Sequence, residues 1–347
     1  MKKKPHITLD DIARRLDVSR VTVSKALRGH PDISTETTKR VRVVADELGY
    51  SPNIMARNLS ARRSQMVGMV VPKIAHFFFG SVIESVYNAA FENNYETILM
   101  VSQENPERER MHLETLMSMR VDGIMVSLTA ETRDYSIFER VRSRGVPLIF
   151  VDRSPEPMLQ GFSSVVVDDR GGAFLATEQA IRVGHRKLAH LAGPQHISIG
   201  RERKQGFTDA LKAHGIPVRD EWIVEVGFGK EGGYKGFMEM YNSDNLPRFI
   251  FAVTYPVALG VYEAAHDVGL RIPEDIDILS FGDSDMHRFV SPALSCVNQP
   301  TNEIGRKAFN LLLETIRHPE ESPEQHVRIP TELIIRETCV GPTTPQD

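Results

Sequence analysis

Apolar residues in the first fifty positions recur at the three- and four-residue spacing of short amphipathic helices. The stripes comprise Ile12, Ala13 and Leu16, then Val23, Ala26 and Leu27, then Val41, Val44, Ala45 and Leu48. Thr8 and Asp11 match the capping box that starts a helix. Ser19 and Ser34 are natural N-caps, and Gly49 is a natural helix stop. The pattern predicts three helices, of which the first two form a helix-turn-helix.

Beyond residue 65, short β-branched runs alternate with longer segments of helical spacing. The runs are residues 67–71, 97–101, 123–126, 148–151, 164–167, 187–191, 222–226, 249–252 and 276–281. Alternation of this kind predicts parallel sheets with helices on both faces. Nine or more strands fit two sheets better than one. We therefore expect an all-α N-terminal domain followed by an α/β domain of two doubly wound parallel-sheet subdomains.

Charge divides the chain at the same place. Residues 1–65 carry fourteen Lys or Arg against seven Asp or Glu, a net charge of +7, whereas the remaining residues carry a net charge of −11. A basic patch on a small helical domain attracts the phosphate backbone of DNA, and an acidic body discourages nonspecific coating of DNA. The alternative is a solvated three-helix bundle whose basicity is incidental.

Composition places the chain among ordinary globular proteins, since 41% of its 347 residues are apolar and 25% are charged. It has no run of eighteen apolar residues, and its start lacks the apolar core of a signal peptide. We therefore expect a cytoplasmic, nucleoid-associated protein that makes no membrane contact. Cys296 and Cys339 show no C-x-x-C spacing, which disfavours a disulfide framework. The scattered histidines His185, His190 and His196 lack a convincing third ligand, so we expect no metal site.

Catalytic motifs are a second test of function. Residues 227–232 form a G-x-G-x-x-G after a strand-like run, which is typical of dinucleotide binding. The next strand ends in Thr254 and Tyr255, without the acidic residue that would bind a ribose hydroxyl. No nucleophile elbow, P-loop or H-E-x-x-H occurs, so we expect no enzymatic activity and no cofactor. The competing interpretation is a ligand sensor or nucleotide-binding enzyme whose basic head does not read DNA.

Two segments resemble the DNA-binding head and hinge of the LacI/GalR family of bacterial transcription regulators: TLDDIARRLDVSRVTVSKALRG at 8–29 and ISTETTKRVRVVADELGYSPNIMARNLSARRS at 33–64. The resemblance continues to the C-terminus. It implies a homodimeric regulator, expected to be a repressor, that binds a palindromic DNA operator under the control of a small effector. The implied domains are a helix-turn-helix at 1–50, a hinge at 51–65 and an effector-binding and dimerisation domain at 66–341.

The family's effector domain is similar to a periplasmic sugar-binding protein with two subdomains. The implied boundaries are about 66–162 with 299–323 for the N-subdomain and about 163–296 with 324–341 for the C-subdomain. The chain would cross between them near Phe162, near Pro292 to Gln299 and near Pro323. Ligands of such proteins bind in the intervening cleft, where loops at the carboxyl ends of the strands converge.

The resemblance also implies which residues contact DNA. Arg20, Val21 and Lys25 are expected to reach base edges. Arginine and lysine can donate to guanine O6 and N7, whereas Val21 could touch only a thymine methyl. Phosphate and positioning contacts are expected from small polar residues, namely Thr8, Ser19, Thr22, Ser24 and Asn53.

The segment after Pro52 has too few apolar residues to stand as an independent helix. In the family the matching segment forms a hinge helix on DNA and pairs with its dimer mate. The resemblance implies that Leu59 wedges into the minor groove, with Ala56 at the helix contact and Arg57 near the backbone. The alternative is a plain linker with one buried leucine.

The resemblance also implies six effector contacts: Phe78, Asp152, Arg201, Phe228, Tyr255 and Asp283. Ionised carboxylates accept hydroxyl donors, and a guanidinium forks onto paired oxygens. Arg203 is the alternative to Arg201 and is expected on the exposed face of the helix. The implied effector is a small polar molecule, a sugar or sugar derivative. Because Lys73, His76 and Thr254 depart from the family's usual residues, the effector is expected to differ accordingly.

Overall fold

The computed structural model describes residues 7–50, 63–74, 77–155, 157–284, 289–320 and 322–341. They form two compact units, which divide between Ser64 and Gln65. Some predicted contacts lie outside the described residues, namely Asn53, Ala56, Arg57, Leu59 and His76. The predictions for the hinge therefore stay predictions.

The N-terminal unit consists of three helices, α1 (Leu9–Leu16), α2 (Arg20–Leu27) and α3 (Thr35–Leu48). α1 begins at the predicted capping box, where the Thr8 amide and hydroxyl donate to Asp11 at 2.9 and 2.7 Å. The Ser19 hydroxyl accepts the Thr22 amide at 3.0 Å, and Ser34 caps α3 in the same way. Each cap satisfies an amide that the helix start leaves without a partner. The prediction of three helices is confirmed.

These helices bury their apolar stripes against one another. Ile12, Val23 and Val41 have no solvent exposure, one residue from each helix. Asp17 ends α1 in the left-handed region at a φ of 53°, and the chain enters α2 three residues later. A short turn between two packed helices is the helix-turn-helix arrangement, which leaves one face of α2 outside the core.

The second unit contains two six-stranded sheets. In spatial order the first sheet is β11 (His326–Ile329), β5 (Ser163–Val167), β4 (Leu148–Val151), β3 (Gly123–Val126), β1 (Met66–Val71) and β2 (Glu96–Val101). The second sheet is β12 (Glu332–Ile334), β10 (Ser295–Asn298), β9 (Asp277–Phe281), β8 (Phe249–Ala252), β6 (Leu188–Ala192) and β7 (Ile223–Glu225). β12 is antiparallel to β10, and the other pairings are parallel.

Helices connect the strands and cover both sheets. They are α4 (Phe77–Glu92), α5 (Pro106–Met119), α6 (Ser136–Ser143), α7 (Asp169–Arg182), α8 (Ser198–Ala213), α9 (Lys230–Asn242), α10 (Tyr255–Asp267) and α11 (Thr301–Arg317). The helix pairs that pack most extensively are α7 with α8, α9 with α10, and α4 with α11. The predicted pair of doubly wound subdomains is confirmed. Within the part of the chain that the structure describes, no helix combines the length and apolarity needed to cross a bilayer.

The subdomain boundaries differ from the predicted ones. β5 pairs with β4 on one side and β11 on the other, so both strands belong to the first sheet. The crossovers expected near Phe162 and Pro323 are therefore each placed one strand too early, and the chain leaves the first sheet after Val167 and after Ile329. A buried β-branched run predicts a strand, but its pattern does not say which sheet the strand joins.

The two helices α4 and α11, which pack together beside the first sheet, approach each other closely at Gly305, and this contact contributes to the stability of the fold. A Cβ on Gly305 would lie 2.6 Å from Ser85 Cβ and 2.7 Å from the Val82 carbonyl oxygen. Gly305→Ala should therefore lower the free energy of unfolding by about 1–3 kcal/mol. On α4, Gly80→Ala is the control, because a Cβ there meets nothing within 4 Å and alanine favours a helix by about 0.5–1 kcal/mol. Denaturant titration measures both, and equal stabilities would contradict the close approach.

Candidate functional site

The outer face of α2 carries the residues predicted to read bases. Val21 is 64% exposed, and Arg20 is exposed beside it. Lys25 follows one turn later, with Ser24 partly exposed next to it. An exposed valine between two cations has no packing role in the N-terminal unit, so this face is available to a partner.

Three of the predicted positioning residues already have structural roles at the helix starts. The Thr8 hydroxyl donates to Asp11, and the hydroxyl oxygens of Ser19 and Thr22 lie 2.8 Å apart. These bonds fix where α1 and α2 begin. The sequence therefore needs these residue types for capping, whether or not they also touch phosphate.

Lys25 is held by an acidic residue in the loop after α2. Its Nζ lies 2.8 Å from Asp32 Oδ2, and His30 Nδ1 lies 3.3 Å from the same oxygen. The hydrogen bond and the charge of Lys25 lower the pKa of the Asp32 carboxyl. Exposed ion pairs contribute little to stability. A phosphate or a guanine edge can therefore replace Asp32 as the partner of this lysine.

The second unit contains a cavity of about 370 Å³ at the carboxyl ends of its parallel strands. Its lining comes from segments that follow strands of both sheets: Lys73 and Phe77 to Phe79 after β1, Asp152 and Arg153 after β4, Ile199 and Arg203 after β6, Gly229 and Lys230 after β7, Thr254 to Pro256 and Leu259 after β8, Phe281 to Asp283 at β9, and Gln299 after β10. We call this cavity the cleft. It lies where ligands bind open parallel sheets.

Four of the six predicted effector residues line the cleft: Phe78, Asp152, Tyr255 and Asp283. Phe228 lies behind the wall, with its ring centroid 4.4 Å from the guanidinium carbon of Arg153. It supports the cleft through that cation–π contact.

Arg201 is the predicted residue that the structure places elsewhere. Its guanidinium pairs with Glu202 at 2.8 Å and lines a separate surface pocket beside His326 and Arg328. The arginine of the cleft is Arg203. Residues two positions apart on a helix lie on nearly opposite faces. Only one of the two arginines of α8 can therefore point into the cleft. Arg201 therefore does not line the cleft, whereas Arg203, which was expected on the exposed face, is buried in its wall.

Arg203 is 2% exposed and makes contacts with three segments. Its Nε donates to Asp169 Oδ1 at 2.8 Å, its Nη1 donates to the Val253 carbonyl oxygen at 2.6 Å, and its guanidinium carbon lies 3.6 Å from the Phe281 ring centroid. Burial raises the pKa of Asp169 to about 7, while the charge of Arg203 opposes that shift. The pair gives the cleft a rigid, charged base.

The other carboxylates of the cleft have their own environments. Burial raises the pKa of Asp152, against the attraction of Arg153 and Arg203. Burial also acts on Asp283, but hydrogen bonds from Arg336 hold its pKa below the usual range. Arg336 donates hydrogen bonds to both oxygens of Asp283, at 3.1 and 2.6 Å. These two bonds fix the orientation of the Asp283 carboxylate.

Sequence reasoning missed two polar residues of the wall, Arg153 and Gln299. Arg153 donates to Glu104 Oε1 at 2.9 Å, but its Nε has no hydrogen-bond partner among the described residues. The Gln299 amide nitrogen is also buried without a partner there, as is the hydroxyl of the predicted Tyr255. Position alone could have indicated Arg153, because it directly follows Asp152 at the end of β4. Gln299 offered no such signal.

Comparison with known proteins gives the same organisation. Residues 8–53 match the family of bacterial regulatory proteins called lacI, and residues 177–339 match the periplasmic binding protein-like domain. The HTH-type transcriptional repressor PurR of Haemophilus influenzae is 31% identical over 335 residues, 95% of this chain and 98% of that protein. The ribose operon repressor of Haemophilus influenzae is 32% identical over 331 residues, with the same two coverages.

A solved structure agrees with these relatives. The complex of the transcriptional regulator CelR with cellobiose is 29% identical to this chain, with a TM-score of 0.73 over 96% of this chain and 99% of that one. The helix-turn-helix unit, the cleft at the strand ends and near-complete alignment with two repressors lead to one conclusion. The chain belongs to the lacI family of bacterial regulatory proteins and is a DNA-binding transcription regulator.

Proposed function

We propose that this regulator is a repressor whose hold on a palindromic operator is controlled by a small molecule bound in the cleft. The observation that carries the proposal is the position of Arg203. Its guanidinium is buried and lines a cavity whose other residues follow strands of both sheets. A buried guanidinium in the wall of a cavity can donate hydrogen bonds to the oxygens of a polar ligand. The exposed face of α2 supplies the second site that control requires.

The effector proposed is a sugar or a sugar derivative. Aromatic side chains at the cleft, Phe77, Phe78 and Phe281, offer apolar faces for a sugar ring, and Asp152 offers carboxylate oxygens for its hydroxyls. The related CelR is described in complex with cellobiose. The departures at Lys73 and Thr254 both lie in the wall of the cleft, so they bear directly on which sugar fits.

The mechanism proposed has two states of the cleft. Its wall combines Phe78 and Asp152, which follow strands of the first sheet, with Arg203 and Asp283 from segments of the second. A ligand that touches both groups favours one relative position of the two sheets. Because binding at one site biases affinity at the other, that preference changes the affinity for DNA.

The partner proposed for the first sheet is a second copy of the chain. β2 is the edge strand, and α4 beside it carries a stacked aromatic pair, Tyr87 and Phe91, with ring centroids 6.3 Å apart. Phe91 is 68% exposed, and Met111 on α5 is 54% exposed. Aromatic and methionine side chains are enriched in interfaces. This face suits the homodimer that a palindromic operator requires.

Phe91→Asp should weaken self-association, since it puts a charge into the proposed interface. Leu175→Asp is the control, because Leu175 is an exposed apolar residue on α7, outside that face. Sedimentation velocity over a range of concentrations measures both. A dimer constant equal in the two variants would place the interface elsewhere.

Lys25→Ala should remove discrimination at particular operator bases, at roughly 1–3 kcal/mol for each lost base contact. Selection from random duplexes, followed by affinity measurement on single-base variants, detects that loss. Lys39→Ala is the control, because it removes the same charge from an exposed position on α3. If Lys25→Ala weakened all sequences equally, as a lost phosphate contact does, Lys25 would not read bases. A wild-type chain that selected no sequence would overturn the proposed function itself.

Arg203→Lys should weaken effector binding at least tenfold, about 1.4 kcal/mol, because an ammonium cannot reproduce the forked contacts of the guanidinium. Arg201→Lys is the matched control two positions away and should bind as the wild type does. The measurement is calorimetry with the tightest ligand from a thermal-shift screen of sugars and sugar phosphates. The opposite ranking would return the role to Arg201.

A further inference from the structure

Both cations that are predicted to read bases have a carboxylate beside them. Lys25 Nζ lies 2.8 Å from Asp32 Oδ2, and Arg20 Nη1 lies 3.9 Å from Asp10 Oδ2. Several other cations of the N-terminal unit are left without such a partner. Three exposed ones on α3 form no ion pair with any carboxylate of the described residues: Lys39, Arg40 and Arg42. Negative charge thus accompanies the outer face of α2, where attraction to the DNA backbone alone would favour only positive charge.

The loop after α2 is folded so that Asp32 lies next to Lys25. The His30 amide donates to the Lys25 carbonyl oxygen at 3.0 Å, and the Ile33 amide donates to the His30 carbonyl oxygen at 3.1 Å. The Asp32 amide donates to His30 Nδ1 at 3.3 Å. These bonds fix the backbone on both sides of Asp32, so its carboxylate stays within reach of the lysine.

The ion pair between Lys25 and Asp32 is weak enough to be exchanged. The two side chains are 34% and 59% exposed, and exposed ion pairs contribute little to stability. The O6 and N7 atoms of guanine are uncharged acceptors, so they can bind the lysine without repelling the carboxylate. A phosphate carries a full negative charge and repels the carboxylate when it approaches the lysine. The lysine therefore exchanges Asp32 more readily for a base edge than for the DNA backbone.

We infer that Asp32 is a specificity-determining residue, the counterion that keeps Lys25 from binding phosphates until a guanine edge replaces it. This inference rests on the proposed role of Lys25 in reading bases. Without Asp32 the lysine would be free to bind any phosphate, so the affinity for random DNA would rise. On the operator, Lys25 makes its base contact whether Asp32 is present or not. Asp32 thus widens the gap between specific and nonspecific affinity, which decides how well an operator competes with the rest of a genome.

The first test compares Asp32→Asn with the wild-type full chain by fluorescence anisotropy. The probes are the duplex that the wild type selects from a random pool and a duplex of equal length that lacks the selected sequence. Asp32→Asn should bind the nonselected duplex roughly 3–10-fold more tightly at about 50 mM salt, because it gains a phosphate contact. Its affinity for the selected duplex should rise by less, so the ratio of the two affinities should fall.

Salt dependence identifies the gained contact. On the nonselected duplex, the slope of log affinity against log salt should be steeper in Asp32→Asn by about 0.9, the value for one phosphate. On the selected duplex the slope should change less. Asp46→Asn is the matched control, because it removes the same charge from an exposed position on α3 that forms no ion pair among the described residues. It should leave the ratio of the two affinities unchanged.

A second measurement asks whether Asp32 acts through Lys25. In the Lys25→Ala background, Asp32→Asn should change the affinity for the nonselected duplex no more than Asp46→Asn does, because the lysine that it would release is absent. Far-UV circular dichroism checks that every variant keeps its helices. A purely structural role for Asp32 would instead weaken binding to both duplexes, and that loss would persist in the Lys25→Ala background.

An equal rise in affinity for the two duplexes, an unchanged salt slope on the nonselected duplex, or an effect that survives in Lys25→Ala would each overturn the inference. Failure of the proposed function looks different, since the wild type would then select no sequence at all. Equal weakening of all sequences by Lys25→Ala would contradict the base-reading role of Lys25, and that result is measured without any change at Asp32.

Discussion

The buried guanidinium of Arg203 is the interaction on which the effector domain depends. It joins Asp169, at the start of α7 where the chain has just left the first sheet, to the carbonyl of Val253 at the end of β8. It also stacks on Phe281 at the end of β9. Removing one partner of such a pair leaves a buried charge uncompensated, which is strongly destabilising. The crossover and the strand ends of the second sheet are therefore tied together at the base of the cleft.

That tie decides what the rest of the cleft can offer. Arg203 forms an ion pair with Asp169, and Arg336 forms one with Asp283. Because of these ion pairs, both carboxylates stabilise the folded domain even when no ligand is bound. Donors are left over instead, on Tyr255 and Gln299. The cleft thus combines a rigid ionic base with an unsatisfied wall.

Local signals predicted local structure well. The caps at Thr8, Ser19 and Ser34 and the turn at Asp17 depend on neighbouring residues, so the helix-turn-helix could be inferred from the sequence. Sheet membership is non-local, and the run that became β5 gave no indication of its partners. The short strands β10, β11 and β12, at three or four residues each, carry little periodicity. The choice between Arg201 and Arg203 required the helix phase of α8, which sequence position did not supply.

We propose that ligand binding in the cleft and affinity for operator DNA are coupled. Reciprocal linkage measures this coupling most directly: the affinity of the full chain for its selected operator, with and without the tightest-binding sugar ligand, and the affinity for that ligand, with and without operator. Because coupling free energy is the same in both directions, the two affinities must change by the same factor. We expect both to change at least fivefold, in the same direction. An effector affinity that operator DNA leaves unchanged would contradict the account.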